Sequence, residues 1–222
     1  MASAHPWELA WREGRWYEVS PAFPPVIQFS DYLKQVGSRT VLDLGCGAGR
    51  HSVYLARQGF RVVGFEVSIS ALRKLRIRLK TESVESVEII NGEMSKLPFS
   101  DRAFDAVIST NVLHHSLAAG IEQTVEEVYR VMNNGAEGFL MTLSEHDYKN
   151  GSGQLLEPGT YVMTEGDEQG IVHHLFSEKE LLSHFGKFRI ISVQEELIPI
   201  EKGVRGHFHL RFRKGRAGKN PA

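Results

Sequence analysis

The residues in this sequence best suited to chemistry crowd into one stretch, Val41-Leu42-Asp43-Leu44-Gly45-Cys46-Gly47-Ala48-Gly49-Arg50. An apolar run gives way to glycine at every second position, and a helical pattern follows directly through Ser52, Val53, Tyr54 and Leu55. A strand, a turn almost bare of side chains and a helix therefore follow one another, and the first helical amides point at whatever fills the turn. Glycine there lets a ligand lie against the main chain. The spacing is G-x-G-x-G, with Arg50 where a dinucleotide fingerprint has its third glycine. Asp43 adds a carboxylate beside the turn, which would repel a pyrophosphate and attract an ammonium. The turn is thus expected to take a ligand with a cationic amino-acid end. The segment from Phe60 to Phe65 reads as the next strand. Glu66, at its carboxyl end and about twenty residues past the glycines, is placed to accept hydrogen bonds from a ribose diol.

These residues resemble motif I and its acidic partner in the class I S-adenosylmethionine-dependent methyltransferases, and the resemblance runs over roughly residues 38–145. Gly92-Glu93-Met94-Ser95-Lys96-Leu97-Pro98-Phe99, followed by Asp101 and Phe104-Asp105, is similar to the family's G-D-A-x-x-L-P-F-x-D-x-x-F-D segment. Asn111-Val112-Leu113-His114-His115 resembles the end of its fourth strand, and Arg130-Val131-Met132-Asn133-Asn134-Gly135-Ala136 a degraded R-V-L-K-P-G-G turn. The resemblance implies S-adenosylmethionine as cofactor and S-adenosylhomocysteine as product. It carries cofactor contacts onto Asp43, Gly45, Cys46, Gly47, Gly49, Glu66, Val67, Gly92, Glu93, Met94, Thr110, Asn111 and Val112, with Glu93 and Met94 framing the adenine. The chain resembles the small-molecule, type-11-like members. Gly49 to Glu66 is also similar to the tellurite- and thiol-handling group.

The implied fold is α/β: a Rossmann-like, doubly wound, seven-stranded, mostly parallel sheet with an antiparallel last strand. Alternating patterns after residue 38 agree, predicting strands near 40–45, 61–66, 87–91, 104–109, 137–143, 188–196 and 205–213. Helices are expected near 49–58, 68–80, 119–132 and 177–185. The run His207-Phe208-His209-Leu210-Arg211-Phe212 alternates strictly and predicts a half-buried edge strand. Residues 1–37 read as an N-terminal aromatic lid or helical segment holding Trp7, Trp11 and Trp16, and residues 38–222 as the methyltransferase domain. Within it, residues 144–176 are too long and irregular for a simple connection; their Glu157-Pro158-x-Thr160 and His173-His174 resemble a region that covers the cofactor pocket in a group of small bacterial-type methyltransferases, which implies a substrate-side insertion.

A formal net charge of −1 over 222 residues gives no electrostatic case for nucleic acid or an anionic membrane. No apolar run approaches the ~20 residues of a membrane span. The start lacks the pattern of a secretory signal, and the single cysteine, Cys46, cannot form an internal disulfide, so a cytoplasmic location is expected. Arg211, Arg213, Lys214, Arg216 and Lys219 read as a frayed basic tail.

The expected partner is a small-molecule methyl acceptor. A sulfonium methyl needs mainly in-line alignment and exclusion of water, with a base where the acceptor carries a proton. His115, His174 and Glu157 are the candidate catalytic groups, and Trp16, Tyr17, His115, Tyr161 and His174 the candidate substrate contacts. Ten histidines invite a metal reading. His114-His115 and His173-His174 are adjacent pairs, however, and neighbours on a strand point apart, so no metal site is expected. The alternatives are a catalytically silent S-adenosylmethionine-binding protein and, against Asp43 and the missing third glycine, an NAD-dependent oxidoreductase.

Overall fold

The computed structural model describes residues 4–15 and 21–215. Trp16, Tyr17, Arg216 and Lys219 lie outside the described residues. Seven strands form the main sheet in the order β3-β2-β1-β4-β5-β10-β9. They are β1 (Thr40–Leu44), β2 (Arg61–Glu66), β3 (Val87–Asn91), β4 (Phe104–Thr110), β5 (Met132–Leu143), β9 (Phe188–Ile200) and β10 (Gly203–Lys214). The first five pair in parallel, and β10 runs antiparallel to both neighbours. From β1 the chain winds outward through β2 and β3, then returns to β4 on the other side. The point where strand order reverses therefore lies between β1 and β4, where such sheets open a ligand crevice.

Strand periodicity divides the core between two faces. Leu42, Val107 and Leu140 enter one hydrophobic cluster, while their neighbours Val41, Ile108 and Phe139 enter the other. The first face is covered by α5 (Ala118–Val131), through Ile121, Val125 and Val128, and by α6 (Glu178–His184), through Leu181. The second is covered by α2 (Pro24–Gln35), through Val26, Phe29 and Leu33, and by Leu55 of α3 (Arg50–Arg57). Helix α4 (Ile69–Thr81) buries Leu72, Leu75 and Leu79 and is capped by Ser68, whose hydroxyl accepts from the Ala71 amide at 3.1 Å. Ser177 caps α6 in the same way at 3.3 Å.

The described part of residues 1–37 holds two helices, of which α1 (Pro6–Arg12) is separate and α2 belongs to the core. Two expectations are corrected. Residues 144–176 are not irregular, because they contain a three-stranded antiparallel sheet of β6 (Gln154–Glu157), β7 (Thr160–Val162) and β8 (Val172–His174). Strands of three or four residues are too short for alternation to show in the sequence. Finally, β10 is interior and β9 is the edge.

The basic run at the end of β10 is likewise structural. Glu137 on β5, only 3% exposed, accepts from Tyr32 Oη at 2.7 Å, Arg211 Nη2 at 2.9 Å and Arg213 Nε at 2.7 Å. Burial pushes its carboxyl up, but these partners outweigh that and leave it below the usual range. Lys214 donates to the carbonyls of Tyr129 and Met132 at 2.6 and 2.9 Å. The cluster joins α2, β5 and β10 at one point. Glu137→Ala is expected to lower unfolding free energy in urea by about 2–4 kcal/mol, the range for losing charged hydrogen bonds to a buried carboxylate. An unchanged midpoint and slope would show that the cluster contributes nothing to stability.

Candidate active site

A cleft of about 1240 Å³ opens beyond the carboxyl ends of β1, β2 and β4. Its floor is the turn from Gly45 to Gly47. Gly45 has φ +73°, and a Cβ there would stand 2.2 Å from Val112 Cγ2, so both conformation and space demand glycine. The amides of Gly45 and Cys46 donate to the Phe65 carbonyl at 2.7 and 3.1 Å, which fixes the turn to the end of β2. Glu66 follows directly. Its Oε2 accepts from the Gly47 amide at 3.1 Å and its Oε1 from the Ser68 amide at 2.9 Å. Burial pushes the Glu66 carboxyl up, against the pull of these backbone donors.

The expected cofactor residues Gly45, Cys46, Gly47, Glu66, Val67, Gly92, Glu93, Met94, Thr110, Asn111 and Val112 all line the cleft. Asp43 and Gly49 do not. Asp43 is 2% exposed beneath the turn, accepts from Ser52 Oγ at 2.6 Å, and is pushed up to about 6 by burial. Its carboxylate ties β1 to α3. Gly49 precedes α3 with φ +82°, and a Cβ there would meet Leu75 at 2.1 Å. Burial pushes the Cys46 thiol well up, which suits a packed side chain and not a nucleophile.

Helix α1 covers this floor. Trp11 is 4% exposed, and Trp7 stands edge-on to His115 with ring centroids 4.7 Å apart. The helix is held by Glu8, whose carboxylate accepts from Ser68 Oγ at 2.8 Å, the Ser70 amide at 3.0 Å and Ser70 Oγ at 2.6 Å. Arg15, just past α1, donates to the carbonyls of Asp167 and Gln169 at 3.1 and 3.2 Å and joins the cover to the insertion.

The sequence reading missed His51, which bridges Thr110 Oγ1 at 3.1 Å and the Phe23 amide at 3.4 Å. It also missed Lys149, Glu168 and His207 at the far end of the cleft. These come from separate segments, and no local pattern marks them.

At that far end His115 is half-buried, with Nδ1 on the Val172 carbonyl at 2.9 Å. Desolvation, and then the neighbouring His173, hold its imidazole down to about 3. It is therefore a neutral ring at ordinary pH, a poor proton acceptor but an available lone pair. Of the other expected groups among the described residues, Glu157, Tyr161 and His174 do not line the cleft. Glu157 Oε1 accepts from the Ala118 amide at 2.6 Å and so caps α5. His174 is 1% exposed and has both nitrogens engaged, by Thr160 Oγ1 at 2.6 Å and Glu180 Oε1 at 3.1 Å. Tyr161 sits on β7 of the small sheet.

The expectation that adjacent histidines diverge holds for His173 and His174 but fails for the other pair. His114 and His115 lie in a turn, their ring centroids 4.2 Å apart, and His173 approaches both. One nitrogen from each of the three rings lies within 4.8 Å of the others.

Residues 41–135 match the family described as a methyltransferase domain. An uncharacterized methyltransferase from Synechocystis sp. is 36% identical over 95 residues, covering 43% of this chain and 42% of the relative. The chain thus spans less than half the length of that relative. An uncharacterized methyltransferase from Schizosaccharomyces pombe is 30% identical over 115 residues, covering 51% of this chain and 79% of the relative. The crystal structure of an S-adenosylmethionine-dependent methyltransferase from Methanosarcina mazei shares the fold, with a TM-score of 0.73 at 22% identity over 89% of this chain and 100% of that one.

His51 generates a pH prediction. Burial, and then the charge of Arg50, lower its imidazole from 6.5 to about 3 in the fold. Between those values the unfolded chain binds the extra proton, so stability is fully present above pH 6.5 and drains away as pH falls toward 3. One such group gives a slope of about 1.4 kcal/mol per pH unit. Urea unfolding between pH 7 and 4.5 should therefore show falling stability, with a shallower fall in His51→Gln. Parallel slopes for the two proteins would remove His51 as a source of the acid sensitivity.

Proposed function

The chain belongs to the class I S-adenosylmethionine-dependent methyltransferases, and we propose that it methylates a small-molecule acceptor by in-line displacement. The observation that carries the reading is the orientation of Glu66. Each carboxylate oxygen accepts one backbone amide, and a carboxylate has about four acceptor sites, so one on each oxygen remains for the two ribose hydroxyls. The residues present fit the cofactor. Gly45-Cys46-Gly47 would receive the amino-acid end on bare backbone. The half-buried Met94 would give the adenine an apolar wall, beside the exposed carboxylate of Glu93. Asn111, at φ +59° and with a buried Oδ1 that has no hydrogen-bond partner among the described residues, offers one more polar atom on the same wall.

When bound, the sulfonium supplies an electrophilic methyl carbon, which passes to an acceptor lone pair as the carbon–sulfur bond breaks to the thioether. The protein's part is alignment and exclusion of water. Trp7 and Trp11 from α1 roof the cofactor end, and the Arg15 bridge holds the insertion over the far end. A cleft roofed from two sides favours a small acceptor over a macromolecular one. Among the described residues no helix is long and apolar enough to cross a membrane.

Glu66→Ala is expected to weaken S-adenosylhomocysteine binding by about 1–3 kcal/mol, the loss of charge-assisted hydrogen bonds, as read by calorimetry. An unchanged dissociation constant would sink the assignment of Glu66. The reading as a whole is tested by following S-adenosylhomocysteine release across a panel of small thiols, amines, hydroxyl compounds and acids. Wild type should turn over at least one of them, and binding with no turnover on any would favour a silent cofactor-binding protein.

A further inference from the structure

We propose that His114, His115 and His173 form a binding site for one divalent transition metal ion of the zinc class, at the acceptor end of the cleft. Three imidazoles with an open fourth position are the donor set of many catalytic zinc sites, and imidazole suits this group of metals. Two separate segments deliver the rings. His114 and His115 come from the turn after β4, which is closed by the His115 amide on the Val112 carbonyl at 2.9 Å. His173 comes from β8. The His174 amide donates to the His114 carbonyl at 2.7 Å, so a direct main-chain bond holds the segments in register at the cluster itself.

The outer contacts are those a metal site needs. A ligating histidine is oriented by a carbonyl, carboxylate or hydroxyl on its other nitrogen, which also fixes the tautomer. His115 Nδ1 donates to the Val172 carbonyl at 2.9 Å, leaving Nε2 as a lone pair. His173 Nε2 faces Glu168 Oε2 at 3.4 Å, while its Nδ1 is buried with no hydrogen-bond partner among the described residues. An orphaned buried acceptor costs free energy unless something fills the place beside it. His114 Nδ1 accepts from the Leu143 amide at 3.3 Å and lies 3.1 Å from Thr142 Oγ1, so as it stands the ring proton sits on Nε2. A metal on Nε2 requires that proton to move to Nδ1, where it would be donated to Thr142 Oγ1 in place of the Leu143 bond.

Two features oppose a cation, and both are answered nearby. The Lys149 ammonium is 3.4 Å from His173 Nε2 but pairs with Glu168 at 2.6 Å, so the two charges cancel beside the rings. The nitrogens, up to 4.8 Å apart, must close to the roughly 3.4 Å that tetrahedral zinc imposes, a change within reach of imidazole side-chain rotation. His115 is half-buried, lines the cleft, and leaves the fourth position facing it. Assigning that position to the acceptor's heteroatom rests on the methyl-transfer reading. The metal site itself does not.

The test uses the full chain, stripped with a chelator and then titrated with Zn²⁺ in competition with a chromogenic chelator. One equivalent should bind, and Co²⁺ in its place should give the visible absorption of a four-coordinate site. Glu168→Gln should weaken Zn²⁺ binding by about 10–100-fold, the usual effect of losing a group that orients a ligating histidine. His115→Ala should weaken it further; because His115 is only half-buried, this variant tests the proposal even if His173→Asn fails to fold. Less than one equivalent at micromolar protein, or wild-type affinity in both His115→Ala and Glu168→Gln, overturns the proposal. S-adenosylhomocysteine is titrated in parallel. Its binding without zinc binding would reject the metal site alone, and zinc binding without it would reject the methyl-transfer reading alone.

Discussion

The buried carboxylate of Glu66 is the interaction on which the cleft depends. One oxygen holds the Gly47 amide in the middle of the glycine turn, and the other holds the Ser68 amide at the start of α4. The preceding carbonyl, Phe65, takes the amides of Gly45 and Cys46. The end of β2 therefore fixes both the loop that makes the floor and the helix beside it. Burying a carboxylate is costly, and backbone donors offset only part of the cost, so the carboxyl stays raised. The roof hangs from the same point, because Ser68 also donates its hydroxyl to Glu8 of α1. Floor and roof are thus a single hydrogen-bonded unit, and a ligand contacting Glu66 would meet both.

The polar residues of the insertion show how satisfied and unsatisfied groups differ in meaning. Glu157 and His174 have the chemistry of catalytic groups, yet each is tied into the scaffold. Glu157 caps α5, and His174 bonds through both nitrogens to Thr160 and Glu180. A buried side chain with all its hydrogen bonds made is doing the work of scaffold. His173, one residue earlier, faces the opposite way along β8 and keeps a bare nitrogen. The alternation of a three-residue strand thus assigns one histidine to the frame and turns the other toward His114 and His115.

The same logic holds at the other end of the sheet. Arg211, Arg213 and Lys214 look like a solvated basic tail when read along the chain. In the fold Arg211 and Arg213 meet Glu137, and Lys214 meets the carbonyls of Tyr129 and Met132. Their partners lie some 70 to 85 residues away in sequence, so no local window could pair them.

The sequence by itself determined what depends on local periodicity and backbone permission. The glycine turn, the strand before it, the acidic residue that ends β2, the seven strands of the main sheet and, among the described residues, four of the six helices all follow from patterns within about fifteen residues, the range over which propensity and amphipathicity act. Tertiary structure alone decided which chemically capable side chains face the cleft. Asp43 turned inward to Ser52, Glu157 and His174 became braces, and β10 moved from edge to interior because β9 pairs outside it. Adjacent His114 and His115 came to share a centre with His173 because the chain bends after β4 and the His174–His114 backbone bond brings a distant strand alongside. Side-chain direction at such places is set by partners far away in the chain, and a linear pattern carries no record of them.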